Sequence, residues 1–177
     1  MHTIFSDDAA IRIVELELPE DRRLLDSIHI AYDREYGFTH SDAERDHFAA
    51  YLAAHRDIYH PLALLLDNEP AGYIRACDRL STSSCDTVSM LDLVYILPEH
   101  RGKKLGRLLM DAYIRFVRES GHARIDLLTD LDNPAAVSLY ESLGFRGRAR
   151  HQMILFLKDN PTLNAYLDNK IMNQQSG

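Results

Sequence analysis

The sequence predicts one α/β domain, with a mixed sheet carrying helices on both faces. Three observations predict it. The chain has 177 residues, enough for one sizeable core. Its apolar pattern switches repeatedly between strand and helix periods. The resulting order (strand, two helices, three strands, helix, strand, helix, strand) mixes hairpins with helical crossovers, as a mixed sheet requires. Residues 1–158 read as the domain and 159–177 as a C-terminal extension, helical at first with a disordered tail.

The elements follow in order. Ile11 to Leu18 reads as a strand that Pro19 ends. Asp21 then caps a helix through Leu24, Leu25, Ile28 and Tyr32, which Gly37 closes. Ser41-Asp-Ala-Glu44 is a capping-box pattern, with Phe48, Tyr51 and Leu52 at helical spacing behind it. Pro61 to Leu66 is a short strand, Asp67 to Pro70 is turn chemistry, and Ala71 to Leu80 forms the second arm of a hairpin. Beyond a polar turn from Ser81 to Asp86, Val88 to Leu97 is apolar on both faces, as a central strand would be. A basic, glycine-containing turn leads into a helix with Leu105, Leu108, Leu109, Ala112 and Phe116 on one stripe, stopped by Gly121. Arg124 to Thr129 is a strand, Pro134 to Leu143 a helix ended by Gly144, and Phe145 to Lys158 one or two strands. Asn160 to Asn173 can form a terminal helix whose Leu163, Tyr166, Leu167 and Ile171 share a face, suited to a homodimer contact or to packing on its own domain.

Composition removes several function classes. A net charge of −7 argues against nucleic acid as a partner and leaves room for a cationic substrate. No apolar run approaches the ~20 residues of a membrane span, and the opening MHTIFSDDAAIR lacks the basic and apolar regions of a signal peptide. Cys77 and Cys85 make no disulfide framework and fit a reducing, cytoplasmic setting. The histidines are scattered without H-E-x-x-H or C-x-x-C spacing, so no metal is expected.

The chemistry concentrates between Val94 and Gly106, where a buried strand runs through a short turn directly into a helix. The first amides of a helix lack internal acceptors and sit at its positive end, which suits a phosphate. Successive turn amides suit the two phosphates of a pyrophosphate. Gly102 and Gly106 allow close backbone approach, while Arg101, Lys103, Lys104 and Arg107 add positive charge. No G-x-x-x-x-G-K-[ST] is present, which disfavours a nucleoside triphosphate. Taken alone, this turn could equally be a plain strand-to-helix junction with solvated lysines. A second segment, Asn133-Pro-Ala-Ala136-Val-Ser-Leu139-Tyr140-Glu-Ser-Leu-Gly144-Phe145, places Ala136, Leu139, Tyr140 and Leu143 on one helical face. A buried phenol there needs a partner.

Together these segments resemble the GNAT superfamily of N-acetyltransferases. Leu93-Val94-Tyr95-Ile96-x-Pro98-x-x-Arg101-Gly102 is similar to its acetyl-CoA strand and the start of its pyrophosphate loop, and Asn133 to Phe145 to its N-x-x-A-x-x-L-Y-x-x-x-G-F segment. The resemblance is continuous from about Val88 to Leu157. It implies a mostly antiparallel sheet with a splayed parallel strand pair, acetyl-CoA as co-substrate, and transfer of its acetyl group to a primary amine, most readily of a small molecule. It further implies that Val94 and Ile96, with Tyr95 between them, bind the pantetheine arm, and that the amides from Arg101 through Lys103, Lys104 and Leu105 to Gly106, with Arg107 beside them, hold the pyrophosphate. Asn133, Ala136 and Tyr140 complete the cofactor side, and Tyr140 is the implied acid for the leaving thiolate. The family's loop usually has a glycine where Lys104 stands. Because Lys104 directly precedes the helical stripe, a helical φ is expected there; a positive φ would cost a lysine roughly a kilocalorie per mole or more.

For the base, Asp92 is the charged residue of the Val88 to Leu97 run and is a candidate, as is a water chain; pairing with Arg75 is the plain structural alternative. Asp130 and Asp132 lie past the next strand, and Asp132 can instead cap the following helix. The resemblance implies that the acceptor enters between the first two helices and the last hairpin, a region that here offers Asp33, Glu35, Tyr36, His40 and the loop Arg146 to His151, with Asp130 close by. Two other functions fit the same motifs: acetylation of a protein N-terminus or lysine, and a catalytically inactive CoA-binding sensor.

Overall fold

Periodicity becomes geometry most clearly in a six-stranded sheet of order β1-β2-β3-β4-β5-β6. Its strands are β1 (His2–Asp7), β2 (Ile11–Glu15), β3 (Tyr59–Leu66), β4 (Glu69–Ser81), β5 (Asp86–Ile96) and β6 (Ile125–Leu127). The structure is a computed structural model, and it describes residues 2–7 and 10–147 together with Leu157, Ala165, Leu167 and Asp168. The strands expected over Phe145 to Lys158 lie almost wholly outside the described residues, as does nearly all of the helix expected over Asn160 to Asn173. Neighbouring strands are antiparallel through β5, and β5 and β6 are parallel. The sheet is therefore mixed and mostly antiparallel, as expected.

Helices α1 (Arg22–Tyr36) and α2 (Asp42–Ala54) cover one face, and α3 (Leu105–Glu119) and α4 (Pro134–Ser142) the other. Leu25, Ile28, Ala49 and Leu52 pack with Val14, Ala63, Leu65, Tyr73 and Tyr95. Leu105, Leu109, Met110, Tyr113 and Val117 pack with Ile13, Leu62, Leu64, Ile74 and Leu91, and α4 adds Leu139, Tyr140 and Leu143. The alternating strand residues thus feed two separate apolar layers.

Local chemistry explains most boundaries. Gly37 ends α1 at φ 73, with its amide bonded to Asp33 O. The Ser41–Glu44 capping box forms in full at the start of α2. Asp67 and Asn68, at φ 50 and 70, make the two-residue left-handed turn that a tight β3–β4 hairpin favours. Asp21 sits at the cap position of α1, but its carboxylate accepts from Glu17 N at 2.9 Å and makes no cap bond to the helix. Strand β1 has no counterpart in the expected element list; it is an edge strand with a bulge between Thr3 and Phe5.

Candidate active site

The site begins with an irregularity in β5. Arg75 pairs with Leu93 but the next residue, Ala76, pairs with Leu91, so Asp92 is an extra residue. The bulge reverses the phase of the strand. Leu91, Val94 and Ile96 all pack toward α3, while Leu93, Tyr95 and Leu97 pack toward α1 and α2.

Pairing with β6 covers only Ser89 to Leu91 against Ile125 to Leu127, so the two strands part just where the bulge occurs. Beyond it, Leu97 N donates to Ala71 O at 3.0 Å, which turns the backbone of Leu97 toward β4. By strand alternation the backbone groups of Val94 and Ile96 face the opposite, open side. This is the splayed parallel pair that the resemblance implied. The Ile96 carbonyl on that side already accepts from Arg101 Nε at 2.9 Å.

From Ile96 the chain passes through a 3-10 turn over Pro98–His100 and reaches α3. Gly102 has φ 76 and Lys104 φ 60. Lys104 therefore departs from the helical φ expected of it: it occupies the N-cap position in the left-handed region, outside the helix. Adjacency to a helical stripe fixes where the helix begins but not the angle of the residue that caps it. Arg107 N and Leu108 N donate to Lys104 O at 3.1 and 3.2 Å, so its carbonyl starts the helix. Among the described residues, the amides from Gly102 to Gly106 have no acceptor. Five consecutive unbonded amides at the positive end of a 15-residue helix suit phosphate oxygens.

The basic side chains divide. Arg101 donates from Nη2 to Glu35 Oε2 at 2.7 Å and lies over the Tyr95 ring at 5.6 Å. Arg107 bonds Asp111 at 2.9 Å and the Ser142 hydroxyl at 3.0 Å, joining α3 to α4. Both guanidinium groups, expected as charge beside the phosphates, are thus committed within the fold. Lys103 and Lys104 are exposed, and among the described residues neither has an ion-pair partner. Gly106 packs ordinarily, a Cβ there standing 3.7 Å from both Ile96 Cγ1 and Leu139 Cδ2. Gly72 is the tighter glycine, because a Cβ would stand 2.6 Å from Ile96 Cδ1.

Helix α4 brings the second segment alongside. Asn133 caps it, accepting from Ala136 N at 3.2 Å, so the cap is Asn133 and not Asp132. Tyr140 joins the packed layer that holds Val94 and Ile96, its ring 5.7 Å from that of Phe145. Burial pushes its phenol above the ordinary value. Among the described residues its hydroxyl has no hydrogen-bond partner.

On the other face of β5, Arg75 holds Asp92 through Nε at 2.7 Å and also through Nη2. Both bonds fall on Oδ2. Asp33 is buried and accepts from His40 Nδ1 at 2.9 Å and Arg45 Nη1 at 3.5 Å, ties that anchor the α1–α2 connection rather than leaving Asp33 open to a ligand. Tyr36 is exposed, its ring tilted against that of Tyr32 at 4.6 Å. Asp130 is exposed between β6 and α4, its carbonyl accepting from Asn133 N. Of the basic loop Arg146 to His151, only Arg146 and Gly147 are described.

Sequence reasoning missed a cluster beneath α1 and α2. His29 lies edge-on to Phe48 at 4.8 Å and to Tyr73 at 6.2 Å, and the Arg75 guanidinium covers Phe48 at 5.1 Å. Desolvation, with help from Arg75, lowers the His29 pKa to about 4. The period-two spacing of Tyr73 and Arg75 signalled one shared face, but nothing in the sequence signalled that His29 meets it.

An opened parallel pair leading to unpaired amides at a helix N-terminus defines a sheet protein suited to an extended, phosphate-bearing ligand. The chain belongs to the GNAT acetyltransferase family, whose model matches residues 25–145. It is similar to a mycothiol acetyltransferase of Arthrobacter sp. (strain FB24), with 32% identity over 105 residues, 57% of this chain and 32% of that protein. With the mycothiol acetyltransferase of Nocardiopsis dassonvillei it shares 45% identity over 60 residues, 34% of this chain and 18% of that protein. The chain thus spans a third or less of the length of these two relatives. Among solved structures, a probable acetyltransferase superposes with a TM-score of 0.73 at 26% identity, covering 84% of this chain and 99% of that one. The aminoglycoside N-acetyltransferase AAC(6')-Iy in complex with CoA superposes with a TM-score of 0.69 at 16% identity, covering 87% and 100%. Among the described residues no helix is long and apolar enough to cross a membrane.

Proposed function

We propose that the protein transfers the acetyl group of acetyl-CoA to a primary amine of a small molecule by direct attack. The observation that carries this reading is the run of unbonded amides from Gly102 to Gly106, placed where β5 has parted from β6. Its fit to a pyrophosphate is geometric and electrostatic at once. Relatives named for mycothiol and neighbours named for aminoglycosides support a small-molecule acceptor.

Acetyl-CoA supplies the acyl group as a thioester. Val94 and the Ile96 amide would bond its pantetheine arm, since their backbone groups face the open side. The neutral amine attacks the carbonyl carbon, a C–N bond forms and the C–S bond breaks. The sulfur leaves with its electron pair and takes the phenolic proton of Tyr140. Because burial raises that phenol, it stays protonated through the neutral range and is available as an acid. The surplus amine proton passes to Asp92 or to water. Arg75 occupies Asp92 Oδ2, so Oδ1 would be the atom that takes the proton. Tyr36 and Asp130 would border the acceptor.

The test is thermal unfolding with acetyl-CoA, and with ATP as control, followed by thiol release with a panel of amines. A midpoint rise specific to acetyl-CoA is expected; no shift at millimolar concentration overturns the reading. Tyr140→Phe is expected to lower turnover by about 10²-fold or more with acetyl-CoA binding nearly intact, and unchanged turnover removes Tyr140 from the mechanism. Asp92→Asn should alter the pH–rate profile, and an unaltered profile assigns the proton to water.

A further inference from the structure

Glu35 differs from the other acids at the end of α1. Its Oε2 accepts two hydrogen bonds, from Arg101 Nη2 at 2.7 Å and from the Tyr95 hydroxyl at 2.9 Å. Arg101 in turn uses Nε to hold the Ile96 carbonyl at 2.9 Å, with its guanidinium against the Tyr95 ring. One carboxylate oxygen on α1 thereby gathers the last residues of β5 and the entry to the phosphate-facing turn. Arg101 and Tyr95 draw the Glu35 carboxyl below its ordinary range, so it is ionised at neutral pH.

The turn requires such a brace. Lys104 holds φ 60, a conformation that costs a side chain on the order of 1–2 kcal/mol and persists only where the surroundings over-determine it. On the helix side, Arg107 N and Leu108 N fix the Lys104 carbonyl. On the strand side, His100 N donates to Leu97 O and Arg101 N to Pro98 O within the 3-10 turn, and the Arg101 side chain, itself fixed by Glu35, ties that turn back to the Ile96 carbonyl.

We infer that Glu35 is a positioning residue for acyl-CoA binding: acting through Arg101, it sets the junction between β5 and the turn and so aims the amides from Gly102 to Gly106. This rests on the acyltransferase reading above. The cation that Glu35 holds is a side chain of its own chain rather than an acceptor amine. The end of α1 and the turn are then one mechanical unit, and a disturbance at either reaches the other.

The experiment is calorimetric titration of acetyl-CoA into the full chain, as wild type, Glu35→Gln, Arg101→Gln and the double variant. Glu35→Gln is expected to weaken binding roughly tenfold, Arg101→Gln by a similar factor, and the double variant by no more than the worse single, because both act through one bond. In steady state, Glu35→Gln should raise KM for acetyl-CoA more than it lowers kcat. Glu35→Asp keeps the charge but withdraws it by one methylene, and is expected to fall between wild type and Glu35→Gln. A role confined to stability would lower the unfolding midpoint and leave these affinities alone. Wild-type affinity in both Glu35 variants, or a double variant that loses the product of the two single factors, overturns the inference alone. Failure of the wild type to bind acetyl-CoA overturns the acyltransferase reading and this inference with it.

Discussion

Lys104 shows how much one backbone angle can decide. Its φ of 60 turns the chain so that consecutive amides point outward together, and it leaves an ammonium group beside them. A helical angle would have extended α3 by a residue and withdrawn one of those amides. The position therefore carries strain in the free protein. Lys104→Gly relieves the Cβ clash while adding freedom to the unfolded chain, so a net stabilisation of up to about 1 kcal/mol is expected. Urea unfolding without acetyl-CoA measures it, and a clear loss of stability would mean that the lysine side chain makes compensating contacts. The sequence revealed a lysine in a glycine's usual place but could not reveal its angle, because a capping residue's φ depends on the chain entering from the strand. The contact between Glu35 and Arg101 was hidden for a different reason: the two residues, each picked out separately in the sequence, meet across 66 positions, and no local pattern joins them.

Elements were more legible than residues wherever a local signal bounded them. The capping box of α2, Gly37 and Gly121 at helix ends, and the Asp67–Asn68 turn all act within a few residues, so reading them along the chain suffices. Strand β1 escaped because six residues on a sheet edge need no strong alternation. The splay of β5 from β6 was legible only through family resemblance. Its physical cause, the extra Asp92 opposite the Arg75–Ala76 step, is a matter of register, which one strand's sequence does not contain. The packing of β4 on β5 beside that opening is tight at Gly72. Gly72→Ala would drive a Cβ to 2.6 Å from Ile96 Cδ1 and 3.1 Å from the Tyr95 carbonyl, and backbone cannot yield as a side chain tip can. Overpacking of this kind costs about 1–3 kcal/mol. Acetyl-CoA affinity should fall along with stability, because Ile96 is displaced where it borders the open strand. A variant of unchanged midpoint and affinity would show that Ile96 moves aside freely.

At the scale of the whole molecule, two histidines tie stability to pH in opposite senses. His29 lies between α1 and the sheet with Phe48, Tyr73 and Arg75 around it; Asp33 and Asp26 only partly offset the loss of water. Its pKa falls from 6.5 to about 4, so between those values the unfolded chain binds a proton that the folded chain refuses. Stability is then full above pH 6.5 and declines on acidification, by on the order of 3 kcal/mol near pH 4. His60 works the other way. Glu15 Oε1 stands 3.0 Å from its Nδ1 and Asp78 Oδ2 3.3 Å from its Nε2, while His122 Nε2 approaches the same Asp78 oxygen at 2.7 Å in a direction poor for a hydrogen bond. Burial opposes the charged form, but Glu15 and Asp78 together raise the His60 pKa. Its contribution is present below 6.5 and fades as pH rises through the folded value. Replacing each in turn separates them. In urea unfolding from pH 4 to 8, His29→Gln should flatten the acid decline, whereas His60→Gln should cost more at pH 5.5 than at pH 8. If His29→Gln keeps the wild-type slope, the histidine titrates in water and the cluster beneath α1 is open. The flattened slope would instead show that α1 and α2 seal the sheet over His29, where Arg75 lies over Phe48 and holds Asp92 Oδ2.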